Sequence, residues 1–223
     1  MKKLFLTIVM LCVSLPAFSQ EANTNTGSAK KQGAKKSFVG SFMYRQAEAD
    51  WKIKLRAGIN YSTLYTSGSE SEDFDYRVGY EFGAVVQRAW KKFVLEPGAY
   101  FTSVGAKDLR LNYVEIPLKA GWIFWRPKMA ATGWWSAVNV APYGAVGVAG
   151  KYKSDGEKHS VKFGNNKMVD RFDYGLRFSL NLNLSSFNFE AGYRLGLNDI
   201  SNMSGQKMYN RGFFFSTGLS FGD

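Results

Sequence analysis

The chain has 223 residues, of which 45% are hydrophobic and 16% aromatic, with only five prolines and a formal net charge of +11. This length is ample for one domain, and the absence of long apolar blocks after the first residues excludes a transmembrane helix there. The basic excess indicates an anionic partner, either nucleic acid or an anionic surface.

The first nineteen residues have the pattern of a secretory signal peptide. Two lysines precede a short apolar run that ends at Val13, and Ala17-Phe18-Ser19 is a small-residue cleavage site. We predict cleavage after Ser19, which removes the only cysteine, Cys12. The mature chain then has no disulfide, and it has no lipid anchor because Leu11 stands where a lipoprotein signal needs a small residue.

Residues 20–50 form a polar segment rich in Asn, Thr, Ser, Gly, Gln and Lys. It contains the basic pairs Lys30-Lys31 and Lys35-Lys36 and has few large apolar side chains with which to build a core. We expect a flexible basic arm rather than a domain. Since the chain is predicted to be exported, phosphate-rich lipid head groups match its positive charge better than nucleic acid does.

From Trp51 onward, apolar and polar residues alternate with the period of a β-strand. In the first run Ile53, Leu55 and Ile59 share one face, while Lys54 and Arg56 share the other. In chain order, the alternation predicts eight strands near residues 51–62, 76–87, 93–103, 113–124, 138–152, 171–182, 187–196 and 212–221.

Alternation alone fits a soluble sandwich with the apolar face inward or a membrane barrel with that face outward. The polar faces carry charges of both signs near mid-strand, beside glycines, as a narrow barrel interior requires. We therefore predict an all-β, closed, antiparallel up-and-down transmembrane barrel of about eight strands over residues 51–223. Its interior is predicted to hold a salt-bridged network of Arg56, Glu81, Glu96, Glu115, Lys119, Asp173, Arg177, Glu190 and Arg194.

The connections between predicted strands differ in length. Those at 89–92 and 184–186 are short, whereas 63–75, 154–170 and 199–210 are long and polar. Outer-membrane barrels have short periplasmic turns and long outer loops, so both termini are predicted to be periplasmic. The tryptophans lie near strand ends on that side and are predicted to form a membrane-interface girdle of Trp51, Trp90, Trp122, Trp125, Trp134 and Trp135.

Four segments resemble the outer-membrane β-barrel family of Bacteroidetes that includes the PorT-like proteins: Lys54–Asn60, Phe93–Tyr100, Asn112–Lys119 and Ala141–Gly144. The resemblance covers about residues 51–221 and implies an eight-stranded barrel in the outer membrane of a Gram-negative bacterium. PorT itself is associated with type IX protein secretion. The expected partners are outer-membrane lipid, lipopolysaccharide, the barrel-insertion machinery and an unidentified protein.

The chain offers little for catalysis or metal binding. Its single histidine, His159, lies among lysines in a predicted loop, and the mature chain has no cysteine. We predict no enzyme activity, no cofactor and no metal, and a structural, assembly or interaction role with a plugged lumen. The alternatives are a narrow channel for small or hydrophobic solutes, with room left by glycines such as Gly58, Gly83, Gly98 and Gly121, a component of protein secretion, and, least favoured, a lipid-acting enzyme that depends on His159.

Overall fold

The computed structural model describes residues 51–68, 74–90, 92–127, 133–154, 157–164, 169–201 and 206–221. The predicted signal peptide (1–19) and basic arm (20–50) lie outside the described residues. In these ranges no helix is long and apolar enough to cross a membrane. The strands are β1 (Trp51–Gly68), β2 (Arg77–Ala89), β3 (Phe93–Ala106), β4 (Leu109–Trp125), β5 (Trp134–Ser154), β6 (Glu157–Val161), β7 (Phe172–Leu184), β8 (Phe187–Gly196) and β9 (Gln206–Phe221).

Eight of these strands close into an antiparallel barrel, which confirms the predicted fold class. The sheet order is β4-β3-β2-β1-β9-β8-β7-β5, and β4 pairs back with β5. The first and last strands of the barrel are joined directly, with Ile53 opposite Phe221 and Gly68 opposite Gln206. The short strand β6 adds to the sheet through β5, as the second arm of a hairpin.

The barrel has two ends, which we name by the connections they carry. The terminus end holds the start of β1, the end of β9 and the connections 90–92, 126–133 and 185–186. The loop end holds the connections 69–76, 107–108 and 197–205, together with the segment that contains β6. One loop-end connection is a two-residue turn, Lys107-Asp108, and Gly105 beside it has a φ of 129°, which favours glycine.

Several strands extend beyond their predicted limits. β1 continues past Ser62 to Gly68, and β9 begins at Gln206, with Tyr65 opposite Tyr209. The predicted long loop 154–170 contains β6, which the sequence pattern missed. Alternation fails as a guide here because the outward side chains beyond the apolar part of the wall are polar, although the backbone still pairs.

The outer wall is apolar, whereas the interior carries the charges. Ile116 is 65% exposed on the outer wall, and Glu115, its neighbour in β4, is 0% exposed. The outward row of β4 from Val114 to Phe124 is about 33 Å long and, at a strand tilt of about 40°, about 25 Å tall. This height matches the apolar band of a barrel in lipid, and the polarity is the reverse of a soluble sandwich.

Candidate functional site

The candidate site is the barrel interior, where two clusters of charged side chains lie one after the other along the barrel. The Glu96 cluster, nearer the terminus end, contains Lys54, Arg56, Glu96, Lys119 and Glu190. The Glu115 cluster, nearer the loop end, contains Glu81, Glu115, Asp173, Arg177 and Arg194. The nine residues predicted from the sequence are all in these clusters. Lys54, which was not among the predicted residues, is the tenth member of the two clusters.

Glu96 is the centre of the first cluster. Its carboxylate lies 2.9 Å from the Lys54 ammonium and 3.1 Å from both the Arg56 guanidinium and the Lys119 ammonium. The side-chain amide of Gln87 donates a further hydrogen bond of 2.9 Å to the same carboxylate. Strands β1, β2, β3 and β4 are thus tied together through one buried side chain.

Glu190 lies on β8 and extends the Glu96 cluster to that strand. Its carboxylate accepts hydrogen bonds from Arg56 and Lys119, and the Ser179 hydroxyl donates to it at 2.7 Å. Arg56 also donates through Nε to the Asn188 side-chain oxygen at 2.8 Å. Because Arg56 and Lys119 each touch both carboxylates, the cluster spans the lumen from one wall to the other.

The Glu115 cluster is built around two arginines. Arg177 lies 2.9 Å from Glu81 and 2.8 Å from Glu115, and Arg194 lies 2.5 Å from Glu115 and 3.3 Å from Asp173. Each guanidinium therefore bridges two carboxylates that come from different strands. Glu115 is shared between them, so the cluster is continuous.

Aromatic rings and amides complete the second cluster. The Arg177 guanidinium lies 3.9 Å from the centre of the Phe214 ring, and that of Arg194 lies 4.3 Å from the Tyr143 ring. Arg194 also donates to the Tyr143 hydroxyl at 3.1 Å, and Asn210 donates to Asp173 at 2.9 Å. These contacts replace the water that the charges lose on burial.

The two clusters balance one another. The Glu96 cluster has one more cation than carboxylate, and the Glu115 cluster has one more carboxylate than cation. Together they are electrically neutral. The interior therefore offers a passing ion no excess of either sign among these paired side chains.

A buried apolar cluster, which we call the loop-end plug, lies in the lumen beyond Glu115. Side chains from the barrel wall pack there with others from the loop-end segments, and the plug includes Leu64, Leu111, Tyr113, Val161, Val169 and Ile200. Backbone hydrogen bonds hold the loop-end segments in place, because Asp170 donates to Ile200 and Ile200 donates to Met208, both at 2.9 Å. The plug is thus part of the folded barrel.

A smaller apolar cluster lies at the terminus end and contains Val94, Ile123, Trp135 and Ala137. The prediction that Trp135 belongs to the membrane-interface girdle is wrong, since it is 5% exposed inside the barrel, with the Lys54 ammonium 5.3 Å from its ring centre. Consecutive residues of a strand face opposite sides. Trp134 and Trp135 therefore cannot both face lipid.

The other predicted girdle residues lie near the terminus end. Trp122 is 50% exposed on the outer wall, and Trp90 is also exposed. Trp125 and Trp134 are half-buried, and Trp51 begins β1, although its side chain is outside what the structure describes.

The lumen glycines do not leave an open path. A Cβ atom on Gly83 would lie 2.7 Å from the Tyr100 ring, one on Gly121 would lie 2.0 Å from the Asn139 side-chain oxygen, and Gly58 and Gly98 are equally crowded. Neighbouring backbone and side-chain atoms already occupy the space beside these glycines. The glycines thus allow the interior to be filled.

A cavity of about 10 Å³ remains near the Glu115 cluster, which is room for about one water molecule. Its lining includes Asn60, Thr102 and Arg177. Within the described ranges, the Asn60 amide, the Thr102 hydroxyl and Arg177 Nε have no hydrogen-bond partner. These groups are suited to hold ordered water.

His159 lies at the loop end, in β6. Its exposed ring stacks on Tyr152 at a centroid distance of 5.1 Å, and its Nε2 is 3.9 Å from Glu157. Among the residues described, no group of three His, Cys, Asp or Glu side chains is arranged as metal ligands.

The profile of a protein family described as "Outer membrane protein beta-barrel domain" matches residues 18–202 of the chain. The chain belongs to this family. The match agrees with the family that the sequence segments resembled, and it identifies the protein as an outer-membrane β-barrel. Membership of the PorT-like subgroup stays a prediction. Among curated proteins, none matches the chain.

Three solved structures are similar to the chain at low sequence identity. Neisserial surface protein A is 11% identical, with a TM-score of 0.45 over 78% of this chain and 98% of its own. Ail, the attachment invasion locus protein of Yersinia pestis, is 13% identical, with a TM-score of 0.40 over 77% and 99%. The N-terminal β-barrel domain of Pseudomonas aeruginosa OprF is 10% identical, with a TM-score of 0.41 over 78% and 98%.

Proposed function

We propose that this outer-membrane barrel is a closed, non-conducting and non-enzymatic protein with a structural, assembly or interaction role. The observation that carries the proposal is the filling of the lumen. From the terminus end to the loop end, the interior holds an apolar cluster, the Glu96 cluster, the Glu115 cluster and the loop-end plug.

The electrostatics of the filled lumen support a closed state. A permeating ion has to separate buried pairs such as Arg177–Glu115, and removing one partner from such a pair typically costs about 3–5 kcal/mol. It then has to cross the apolar plug, where no charged partner replaces its water. With its interior occupied, the protein is left to act through its ends and its outer wall.

We also propose that the loop end faces outward and that both termini are periplasmic. Three of the four loop-end connections have eight residues or more, whereas two of the three terminus-end connections have three or fewer, as is usual for the two sides of such barrels. The exposed indole rings of Trp90 and Trp122 then lie at the periplasmic interface. A predicted signal peptide is consistent with export to this membrane.

A narrow channel is the second candidate. The cavity beside Asn60, Thr102 and Arg177 favours it, because unpartnered polar groups next to a void indicate internal water. This candidate ranks below a closed barrel because the cavity holds about one water, and the loop-end plug lies in the lumen above the Glu115 cluster.

Conductance in a planar lipid bilayer tests the proposal. The mature protein is refolded, shown to be folded by its electrophoretic mobility before and after heating, and compared with Arg194→Ala and with Lys207→Ala, an exposed control on β9. The folded wild-type protein should show no steady conductance. Steady wild-type conductance that changes in Arg194→Ala but not in Lys207→Ala would establish a pore through the charge clusters and overturn the proposal.

A further inference from the structure

The geometry points to a lipid-binding site on the outer wall at the loop end of β4 and β5, beside β6, where Arg110, Lys151, Lys153 and Lys162 form an exposed cationic surface. We call this surface the basic wall. The ligand that it fits is a phosphorylated lipid in the leaflet around the loop end. Naming that lipid as lipopolysaccharide rests on the proposed orientation, in which the loop end faces outward.

Strand register places the first two cations side by side. Arg110 is opposite Lys151, and Lys151 is opposite Ser160. The adjacent row, which includes Leu111 and Val161, is buried in the loop-end plug, so Arg110 and Lys151 lie on the other face, toward the surroundings. Directly opposite residues have Cβ atoms about 4.5–5.5 Å apart. A single phosphate group can therefore contact both side chains.

Cations outnumber carboxylates on the basic wall, where the exposed Asp108 and Glu157 lie close to Lys153. Within the described part of the chain, none of its four cations forms an ion pair, whereas Lys107 pairs with Asp75 at 3.0 Å close by. Asp108 contributes its backbone carbonyl, which accepts a hydrogen bond of 2.8 Å from the Lys153 N–H. Like charges directly opposite each other destabilise strand pairing, and a bound anion reverses that effect.

The height of the basic wall matches lipid head groups. Val148 is the last large exposed apolar residue of β5, and Lys151 follows three positions later. That spacing is about 10 Å along the strand and about 8 Å in height at a tilt of about 40°. On β4, which runs in the opposite direction, the exposed Val114 lies four positions from Arg110, and Arg110 is the one nearer the loop end. The cations thus lie just beyond the acyl chains, at the level of the phosphates.

The rest of the loop-end rim is different in character. Exposed tyrosines lie around it on other strands, at Tyr65, Tyr76, Tyr80 and Tyr174. Tyrosine belts sit at the membrane interface without requiring a charged lipid. On β4 and β5, no described residue beyond Val114 and Val148 is an exposed aromatic. On β4 and β5 the exposed rim positions are cations where other strands carry tyrosine, which favours a localised phosphate ligand over a general anchor.

Binding of lipopolysaccharide to the folded full-length mature protein in detergent tests the site. Arg110→Gln/Lys151→Gln is compared with the wild type and with Lys92→Gln/Lys207→Gln, which removes two exposed lysines elsewhere. Each basic residue near a lipid surface contributes about a fivefold factor, so the first variant should bind roughly 30-fold more weakly. The control variant should bind as the wild type does.

Two further probes identify the ligand group and its source. Chemically dephosphorylated lipopolysaccharide should bind the wild type as weakly as intact lipid binds Arg110→Gln/Lys151→Gln, and inorganic phosphate alone should not compete at millimolar concentration. Wild-type affinity in that variant, or an equal loss in the control variant, would overturn the site. Full competition by inorganic phosphate would overturn the assignment of a lipid as the ligand of the basic wall.

The outcome is independent of the closed-barrel proposal. Lipopolysaccharide binding, measured in detergent, does not involve the lumen. The variants on the outer wall leave the charge clusters unchanged. Protease access to the loop end in intact cells checks the orientation separately. A site that binds lipid on a barrel whose loop end is periplasmic would overturn the orientation and the assignment to lipopolysaccharide, but not the phosphate site.

Discussion

Removing the Glu96 carboxylate should destabilise the barrel more than any other single change among the buried carboxylates. Glu96 contacts three cations, and Lys54 has no other carboxylate partner among the described residues. Glu96→Gln keeps the side-chain size but leaves three cations to share Glu190. The excess positive charge of the cluster rises from one to two, in a place without bulk water.

The expected loss follows from the cost of an uncompensated buried charge, about 3–5 kcal/mol. With a urea dependence of about 2 kcal/mol per molar, the unfolding midpoint should fall by about 2 M. Glu115→Gln should cost less, because Arg177 retains Glu81 and Arg194 retains Asp173. Removing that carboxylate also leaves its cluster neutral.

The assay is urea unfolding in lipid vesicles, followed by tryptophan fluorescence and by the electrophoretic mobility of the folded barrel. Lys54→Met added to Glu96→Gln restores the original excess of one cation and should recover at least about 1 kcal/mol of the loss. Asp75→Asn is the control, since the Asp75–Lys107 pair is solvent-exposed, and its midpoint should not move. A Glu96→Gln midpoint equal to that of the wild type, or no recovery in the double variant, would refute the reasoning.

Two further predictions concern the packing of the wall and the lumen. In single-tryptophan variants, brominated lipid should quench Trp122 and leave Trp135 fluorescent, because Trp135 is inside the barrel; equal quenching of both would contradict its placement. Gly83→Ala should destabilise the barrel by about 1–3 kcal/mol through contact with the Ala99 carbonyl oxygen and the Tyr100 ring, whereas Gly144→Ala, which meets no atom within 4 Å, should be tolerated. Equal midpoints for the two glycine variants in urea would show that the lumen is loosely packed.

If the barrel is closed as proposed, its biological role falls to its outer surfaces. The basic wall and the loop-end connections are the parts that a lipid or protein partner can reach. The loop-end plug has a second consequence, since Ile200 and Val169 hold segments between strands against the barrel wall. A partner at this end therefore meets an ordered surface near these residues.

The period-two alternation was sufficient to predict most strands, because every second side chain must face lipid along the whole height of the band. Charges of both signs on the other face were sufficient to predict the interior network. The pattern did not predict β6 or the extensions of β1 and β9. Those segments pair beyond the apolar band, where the outward side chains do not face lipid and so need not be apolar.

The sequence by itself determined the barrel, its inside-out polarity and nine of the ten charged residues in the two clusters. Only the tertiary structure decided that Lys54 joins Glu96, that Arg194 bridges Glu115 and Asp173, and that Trp135 faces inward. Such contacts join residues from strands far apart in the chain. They depend on the stagger of all eight strands around the closed barrel, which local alternation does not encode.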